Sequence, residues 1–271
     1  ARPLALLGEE WWTLWDLQVD RSEAAPGELI GIHAVWGGVG VVTERRDVRL
    51  SLEDVDGENE AQFDFQLSPE FPVGRWQPGE ALRDQYVFRL PASIPGGAYS
   101  WRVNLRDPEG TTVGNFLSGI SLRVSDPVRS FSAPDGTVLL NVSLGDTAVL
   151  YGYLLNTRRV TVGDNLALTL VWKARTEIPD SYRVFVHLID ESGRLRAQSD
   201  GDPAGWSRPT SGWLPEEYVS DYRALNIPGD IEQGSYSLRA GMYHPHTGER
   251  LAAAVFPDGS VLITDITVLG D

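Results

Sequence analysis

Along much of this chain apolar residues recur at every second position. Leu166, Leu168, Leu170 and Trp172 alternate with Ala167, Thr169 and Val171, the pattern of a strand with one face buried. Tyr182 to Ile189, Tyr236 to Tyr243 and Val261 to Val268 read the same way. Turn chemistry fences these runs at Val162-Gly163-Asp164, Glu191-Ser192-Gly193, Pro228-Gly229-Asp230, His246-Thr247-Gly248 and Pro257-Asp258-Gly259. No stretch of about 12 residues, the length of an ordinary helix, carries a capped 3.6-residue period. Short strands between regularly spaced turns predict antiparallel β-sandwiches.

The chain also resembles itself. Val162-Gly163-Asp164-Asn165-Leu166, Trp172, Val184 to Asp190 and Gly193 fall, at an offset of 136, on Pro26-Gly27-Glu28-Leu29-Ile30, Trp36, Val48 to Asp54 and Gly57. At an offset of 137, Trp213, Pro215, Glu217, Asp221, Pro228, Gly234 and Tyr236 fall on Trp76, Pro78, Glu80, Asp84, Pro91, Gly97 and Tyr99. Agreement at so many Gly, Pro and Trp positions predicts a tandem duplication. The fold class expected is therefore all-β: two immunoglobulin-like antiparallel β-sandwiches, residues 1–126 and 136–271. The polar stretch 127–135 is expected to be the linker, with Val128 and Phe131 as its points of attachment.

Composition narrows the partners. The 271 residues include 23 Lys+Arg against 38 Asp+Glu, a net charge of -15 at pH 7, the wrong sign for coating nucleic acid or anionic lipid. The longest uncharged apolar runs, such as Leu166 to Trp172, fall far short of the roughly 20 residues of a membrane-spanning helix, so no direct membrane insertion is expected. There is no cysteine, which removes disulfides, thiolate metal sites and cysteine nucleophiles. The only Met is Met242 and the first residue is Ala, so the chain is expected to be a piece of a longer polypeptide or to have a processed terminus. Lys173 is its one lysine, an arginine bias that fits a GC-rich genome better than a binding site.

The series Leu144-Gly145-Asp146, Leu150-Tyr151-Gly152-Tyr153, Val162-Gly163-Asp164, Leu170-Val171-Trp172, Val184-Phe185-Val186-His187-Leu188, Gln198-Ser199-Asp200, Pro209-Thr210, Trp213 and Gly248-Glu249-Arg250-Leu251 resembles the C-terminal extracytoplasmic β-sandwich region of bacterial membrane glycosyltransferases similar to dolichyl-phosphate-mannose protein mannosyltransferases, particularly those of Chloroflexi-like thermophiles. The resemblance covers about residues 140–271. The first repeat departs from it: Ser51 stands in place of His187, Gln198 to Asp200 has no clear counterpart, and Gly110-Thr111-Thr112-Val113 replaces Gly248-Glu249-Arg250-Leu251. The resemblance implies an extracytoplasmic or cell-surface location and an upstream membrane domain. It carries no catalytic residue onto this chain, because the family's catalytic acids lie in its membrane portion.

Motifs of chemistry are few. No G-x-S-x-G elbow occurs, and Gly37-Gly38-Val39-Gly40 lacks the Lys and helix of a phosphate-binding loop and reads as a loop after the Trp36 strand. His244-Pro245-His246 reads as a turn, since Pro245 interrupts the strand, and His187 as a core or interface histidine. Asp54 to Glu60 and Asp200-Gly201-Asp202-Pro203 bring oxygen donors together, as Ca²⁺ requires, but without EF-hand spacing they read as turns. No cofactor, metal or catalytic residue is predicted.

Aromatic residues are more informative, because sugar rings stack their C–H faces on exposed Trp or Tyr. Trp36 and Trp172 end alternating strands and are expected in the core. Trp11, Trp12 and Trp15 should supply one or two core residues and one outward contact. Trp76 and Trp213 stand close before prolines in loops. Trp206 has no counterpart in the first repeat and lies in a Gly- and Pro-rich loop, the best position for an exposed platform. The expected ligand surface therefore comprises Trp206, Trp213 and Tyr218 with the acidic neighbours Asp200, Asp202 and Glu216, suited to a neutral saccharide or a glycoprotein. The function expected is a noncatalytic accessory module. The competing readings are a structural cell-surface spacer or protein-interaction module and, third, a secreted glycan hydrolase.

Overall fold

A computed structural model describes residues 2–8, 12–38, 46–67, 77–205, 207–253, 256 and 258–270. Trp11, Trp76 and Trp206 lie outside the described residues, as do Val39 and Gly40. The chain divides into two compact units, Ala1–Asp126 and Pro127–Asp271. It is all-β, and among the described residues the only helical element is the single 3-10 turn Thr210–Gly212.

The first unit contains β1 (Ala5–Leu7), β2 (Trp12–Val19), β3 (Glu23–Ala24), β4 (Leu29–Gly38), β5 (Asp47–Glu53), β6 (Asn59–Gln66), β7 (Ala81–Arg89), β8 (Gly97–Arg106) and β9 (Thr112–Val124). They form a four-stranded sheet in the order β1-β2-β4-β7 and a five-stranded sheet in the order β3-β9-β8-β5-β6. The second unit contains β10 (Val138–Leu144), β11 (Ala148–Leu155), β12 (Arg159–Thr161), β13 (Asn165–Ala174), β14 (Arg183–Ile189), β15 (Leu195–Gly201), β16 (Tyr218–Asn226), β17 (Gly234–Tyr243) and β18 (Val261–Leu269). Its sheets run β10-β11-β13-β16 and β12-β18-β17-β14-β15. Strand for strand the two orders correspond, including the parallel pairs β3–β9 and β12–β18 among otherwise antiparallel neighbours.

Each unit buries one apolar core between its two sheets, as period-two strands demand. Leu14, Ile32, Trp36, Leu50 and Trp101 anchor the first; Leu150, Leu170, Trp172, Val186 and Leu238 anchor the second. The buried tryptophans need a hydrogen-bond partner for the indole N–H, and the units supply different ones. Trp36 Nε1 donates to the Tyr86 hydroxyl, which donates to Asp84 (both 3.0 Å). Trp172 Nε1 donates to Asp221 (3.4 Å), a fully buried carboxylate paired with Arg223 at 2.9 Å. Burial pushes the Asp221 carboxyl above the ordinary carboxylate range, against the pull of Arg223.

Two expectations change, and that for the N-terminal tryptophans does not. Gly37 and Gly38 do not leave the sheet as a loop: they end β4, opposite Thr13 and Trp12. A side chain at Gly37 would collide with the Trp15 indole, so glycine here makes room for an aromatic on the neighbouring strand. Trp12 is in the core, while Trp15 stands 38% exposed. Finally, the segment after Asp126 is fastened to the second unit, and by polar groups. Ser130 pairs with Tyr218, accepting its backbone N–H at 2.8 Å, and Arg129 reaches Glu217 at 2.7 Å. Val128 and Phe131, the expected attachment points, are exposed.

Candidate ligand-binding surface

The connection from β15 to β16 carries the residues expected to bind, and two buried carboxylates shape it. Asp221 accepts the Ala204 N–H at 2.8 Å, while its partner Arg223 donates to the carbonyls of Gly201 and Asp202 at 3.0 and 3.1 Å. Glu217, also fully buried, accepts from Arg129 and Arg208 (2.7 and 2.6 Å) and from the Leu214 N–H (2.9 Å). A buried carboxylate is tolerated only with such charged and hydrogen-bonding partners. The loop is thereby drawn inward, and Trp213 goes with it.

Trp213 is therefore not a platform. Its side chain is fully buried in the core of the second unit, and its indole N–H donates to the Arg208 carbonyl at 3.1 Å. The proximity of Pro215, which suggested an exposed loop, reflects instead a 3-10 turn packed inward, with Thr210, Ser211 and Gly212 buried. Nor do the expected acidic residues converge as free acceptors. Glu216 pairs with Lys173 at 2.6 Å, Asp202 with Arg183 at 3.3 Å, and Asp200 lies 3.5 Å from His187 Nε2. Tyr218 and Glu216 flank the four-stranded sheet, whereas Asp200 and Asp202 belong to the end of the five-stranded one.

Around Tyr218 the structure assembles aromatics that the sequence reading did not join to it. Along β16, Val219, Asp221, Arg223 and Leu225 are buried, so Tyr218, Ser220, Tyr222 and Ala224 share the outward face. Tyr222 is 63% exposed. Tyr151 reaches the same face from β11, where it follows the core residue Leu150; the β11–β13 register shifts between Leu150 and Gly152, and the bulge turns Tyr153 into the core. Its ring meets that of Tyr218 edge-to-face at 5.0 Å, and Lys173 sits 5.5 Å from the Tyr218 centroid. The first unit has its own bulge between Leu14 and Asp16, and the residue there is Trp15. No sequence motif announces the tyrosines; the signal available was the parity of Tyr218 and Tyr222 against the buried positions of β16.

The segments Val184 to Leu188, Gln198 to Asp200 and Gly248 to Leu251 meet on the outer side of the five-stranded sheet. Phe185 lies opposite Asp200 and Gly241, and His187 opposite Gln198 and Arg239. The Arg250 guanidinium stacks 4.2 Å above the Phe185 ring, which is itself 4.7 Å from His187. Residues 248–251 thus strap the sheet, and Phe185 and Arg250 hold the strap. Among the described residues no group of three or more His, Cys, Asp or Glu is placed to hold a metal ion. Asp54 caps its hairpin turn by accepting the N–H groups of Asp56 and Glu58, both at 2.9 Å. No helix among the described residues is long and apolar enough to cross a membrane.

No protein-family model matches the chain, and no curated protein matches it. Among solved structures it is similar to a Niemann-Pick type C2 protein from the Japanese carpenter ant, with 9% identity over 44% of this chain and 96% of that one and a TM-score of 0.32. The C-terminal domain of wzt has 11% identity over 45% of this chain and 77% of that one, with a TM-score of 0.36. The CARDB domain of a Pyrococcus furiosus protein, determined in complex with di-metal ions, has 14% identity over 46% of this chain and 98% of that one, with a TM-score of 0.28.

Proposed function

We propose that this chain is a noncatalytic module of two immunoglobulin-like β-sandwiches derived from a tandem duplication, and that its second unit recognises neutral saccharide, free or on a glycoprotein, through the tyrosine face. The duplication is supported by the sequence offsets, by the one-to-one strand orders and by the bulges at Leu14/Asp16 and Leu150/Gly152. The immunoglobulin-like assignment draws support from Tyr99 and Tyr236. Each donates its hydroxyl to a backbone carbonyl four residues upstream, Pro95 at 2.8 Å and Glu232 at 2.6 Å, in the manner of a tyrosine corner. An extracytoplasmic, accessory place beside a membrane glycosyltransferase is the proposal that the motif residues of the second unit suggest.

The observation that carries saccharide recognition is the pair Tyr218 and Tyr222 on one outward sheet face. They stand four residues apart, about 13 Å along the strand, with Ser220 between them. Two rings at that spacing suit an extended chain of sugar rings more than a compact ligand. Titration of neutral oligosaccharides by calorimetry tests this: Tyr222→Ala should weaken binding about tenfold or more while leaving stability within about 0.5 kcal/mol, as for an exposed residue. Binding indifferent to Tyr222→Ala and Tyr151→Ala removes the tyrosine face from the mechanism. Absence of any binding at millimolar sugar favours a structural spacer, a reading to which the burial of Trp213 lends weight.

A further inference from the structure

A concavity lies on the other sheet of the same unit. A cleft of about 320 Å³ opens beside the strap, lined by Tyr182, His244, Thr247, Glu249, Arg250 and Leu251 among others, a volume at the low end of the roughly 300–1,000 Å³ of small-molecule sites. Tyr182 precedes β14 and His244 follows β17, so the cleft belongs to the five-stranded sheet, whereas Tyr218 and Tyr222 belong to the four-stranded one.

Its walls are fixed by the main chain. Tyr182 is held by its N–H donating to Thr210 Oγ1 at 2.8 Å. The turn after β17 is closed by His244 N–H to the Glu249 carbonyl and Gly248 N–H to the His244 carbonyl, both 2.8 Å. The His244 ring takes part in this turn: Nδ1 accepts the N–H groups of His246 and Thr247 at 3.3 and 3.4 Å. An accepting Nδ1 places the proton of the neutral ring on Nε2. Tyr182 and His244 meet edge-to-face at 5.9 Å. Burial, helped by the negative charges of Asp180 and Glu249, holds the Tyr182 phenol above its ordinary range, so it stays protonated at neutral pH.

Among the described residues no hydrogen bond or ion pair engages the Tyr182 hydroxyl, His244 Nε2 or the Glu249 carboxylate. The cleft therefore offers one N–H donor, one hydroxyl and one pair of acceptor oxygens beside the apolar Leu251. Arg250 contributes a wall more than a hook. Its guanidinium lies over Phe185 and donates to the Asp258 carbonyl at 3.0 Å. With Glu249 and Asp180 nearby, and with Arg250, the one Arg or Lys among the described lining residues, already engaged, an anion is poorly received. A ring bearing adjacent hydroxyls answers each requirement: two hydroxyls donate to Glu249, ring and hydroxyl oxygens accept from His244 and Tyr182, and the C–H face covers Leu251 and the phenol ring.

We propose that this cleft is a separate binding site for a single neutral sugar residue. It does not depend on the tyrosine face. Saturation-transfer NMR with a panel of neutral methyl hexopyranosides, and with a methyl hexuronide for contrast, tests it on the full chain. Tyr182→Phe and Glu249→Gln should each weaken the neutral glycosides about tenfold, the value of one hydrogen bond to a charged or buried polar group. Both changes are made in the Tyr222→Ala chain, in which the tyrosine face is weakened and the signal comes from the cleft, and the hexuronide should bind more weakly than its neutral counterpart. Two variants of unlike chemistry, each checked by thermal melting, separate loss of contact from loss of fold. The proposal is overturned by glycoside binding to the Tyr222→Ala chain that survives both cleft substitutions, by preference for the hexuronide, or by no saturation transfer from the Tyr222→Ala chain.

Discussion

At the scale of single residues, equivalent tryptophans are placed by different polar partners. Trp36 leans on a tyrosine hydroxyl and Trp172 on a carboxylate that must itself be neutralised by Arg223. Trp172→Ala removes a fully buried ring and should cost roughly 3–5 kcal/mol. The check is urea denaturation followed by a probe of each unit: the transition of the second unit should move to lower denaturant while that of the first stays in place. The burial of Trp172 was legible from its position at the end of an alternating run. That of Trp213 was not, because what turns its loop inward is Glu217 meeting Arg129 and Arg208, a contact between positions 88 residues apart in one case, which neither local composition nor period encodes.

At the scale of elements, period two foretold the strands well, since a half-buried strand writes its two faces directly into the sequence. Two kinds of feature escaped it. Bulges reverse parity within a strand, and so Leu150 and Tyr153, an odd number of positions apart on β11, both face the core. The strap between β17 and β18 has no period, being held by individual contacts. One of these requires a glycine: a Cβ at Gly241 would run into the Phe185 ring and stand 2.6 Å from the Gly259 carbonyl oxygen. Gly241→Ala should therefore lower stability by about 1–3 kcal/mol and loosen the strap, read as faster amide exchange from residues 244 to 252 than in β13. Pairing the change with Phe185→Leu should recover part of the loss and leave the backbone clash with Gly259.

At the scale of the whole chain, the repeat arithmetic anticipated corresponding strand orders, because Gly, Pro and Trp mark turns and core positions that topology cannot easily exchange. The candidate site was less legible. Of the six residues expected to form it, Trp206 lies outside the described residues, Trp213 is core, and Asp200 and Asp202 stand apart from Tyr218 and Glu216. Binding surfaces depend on which side chains from distant strands share a face, and pairings between distant strands are not written locally.

The docking of Arg129 and Ser130 has a consequence for where the second unit can be severed. A fragment beginning at Gly136, the boundary that composition recommends, discards a guanidinium that faces a fully buried carboxylate and frees the Tyr218 edge of β16. One beginning at Pro127 keeps both. Losing one charged hydrogen bond to a buried group costs about 1–3 kcal/mol, so the shorter fragment should melt on the order of 2–10 °C below the longer one in parallel calorimetric scans. Equal melting temperatures would mean that Arg208 and the Leu214 N–H suffice for Glu217. A difference of the expected size would place the true beginning of this domain nine residues earlier than its first strand-forming turn suggests, inside a stretch that reads as a tether and behaves as part of the body.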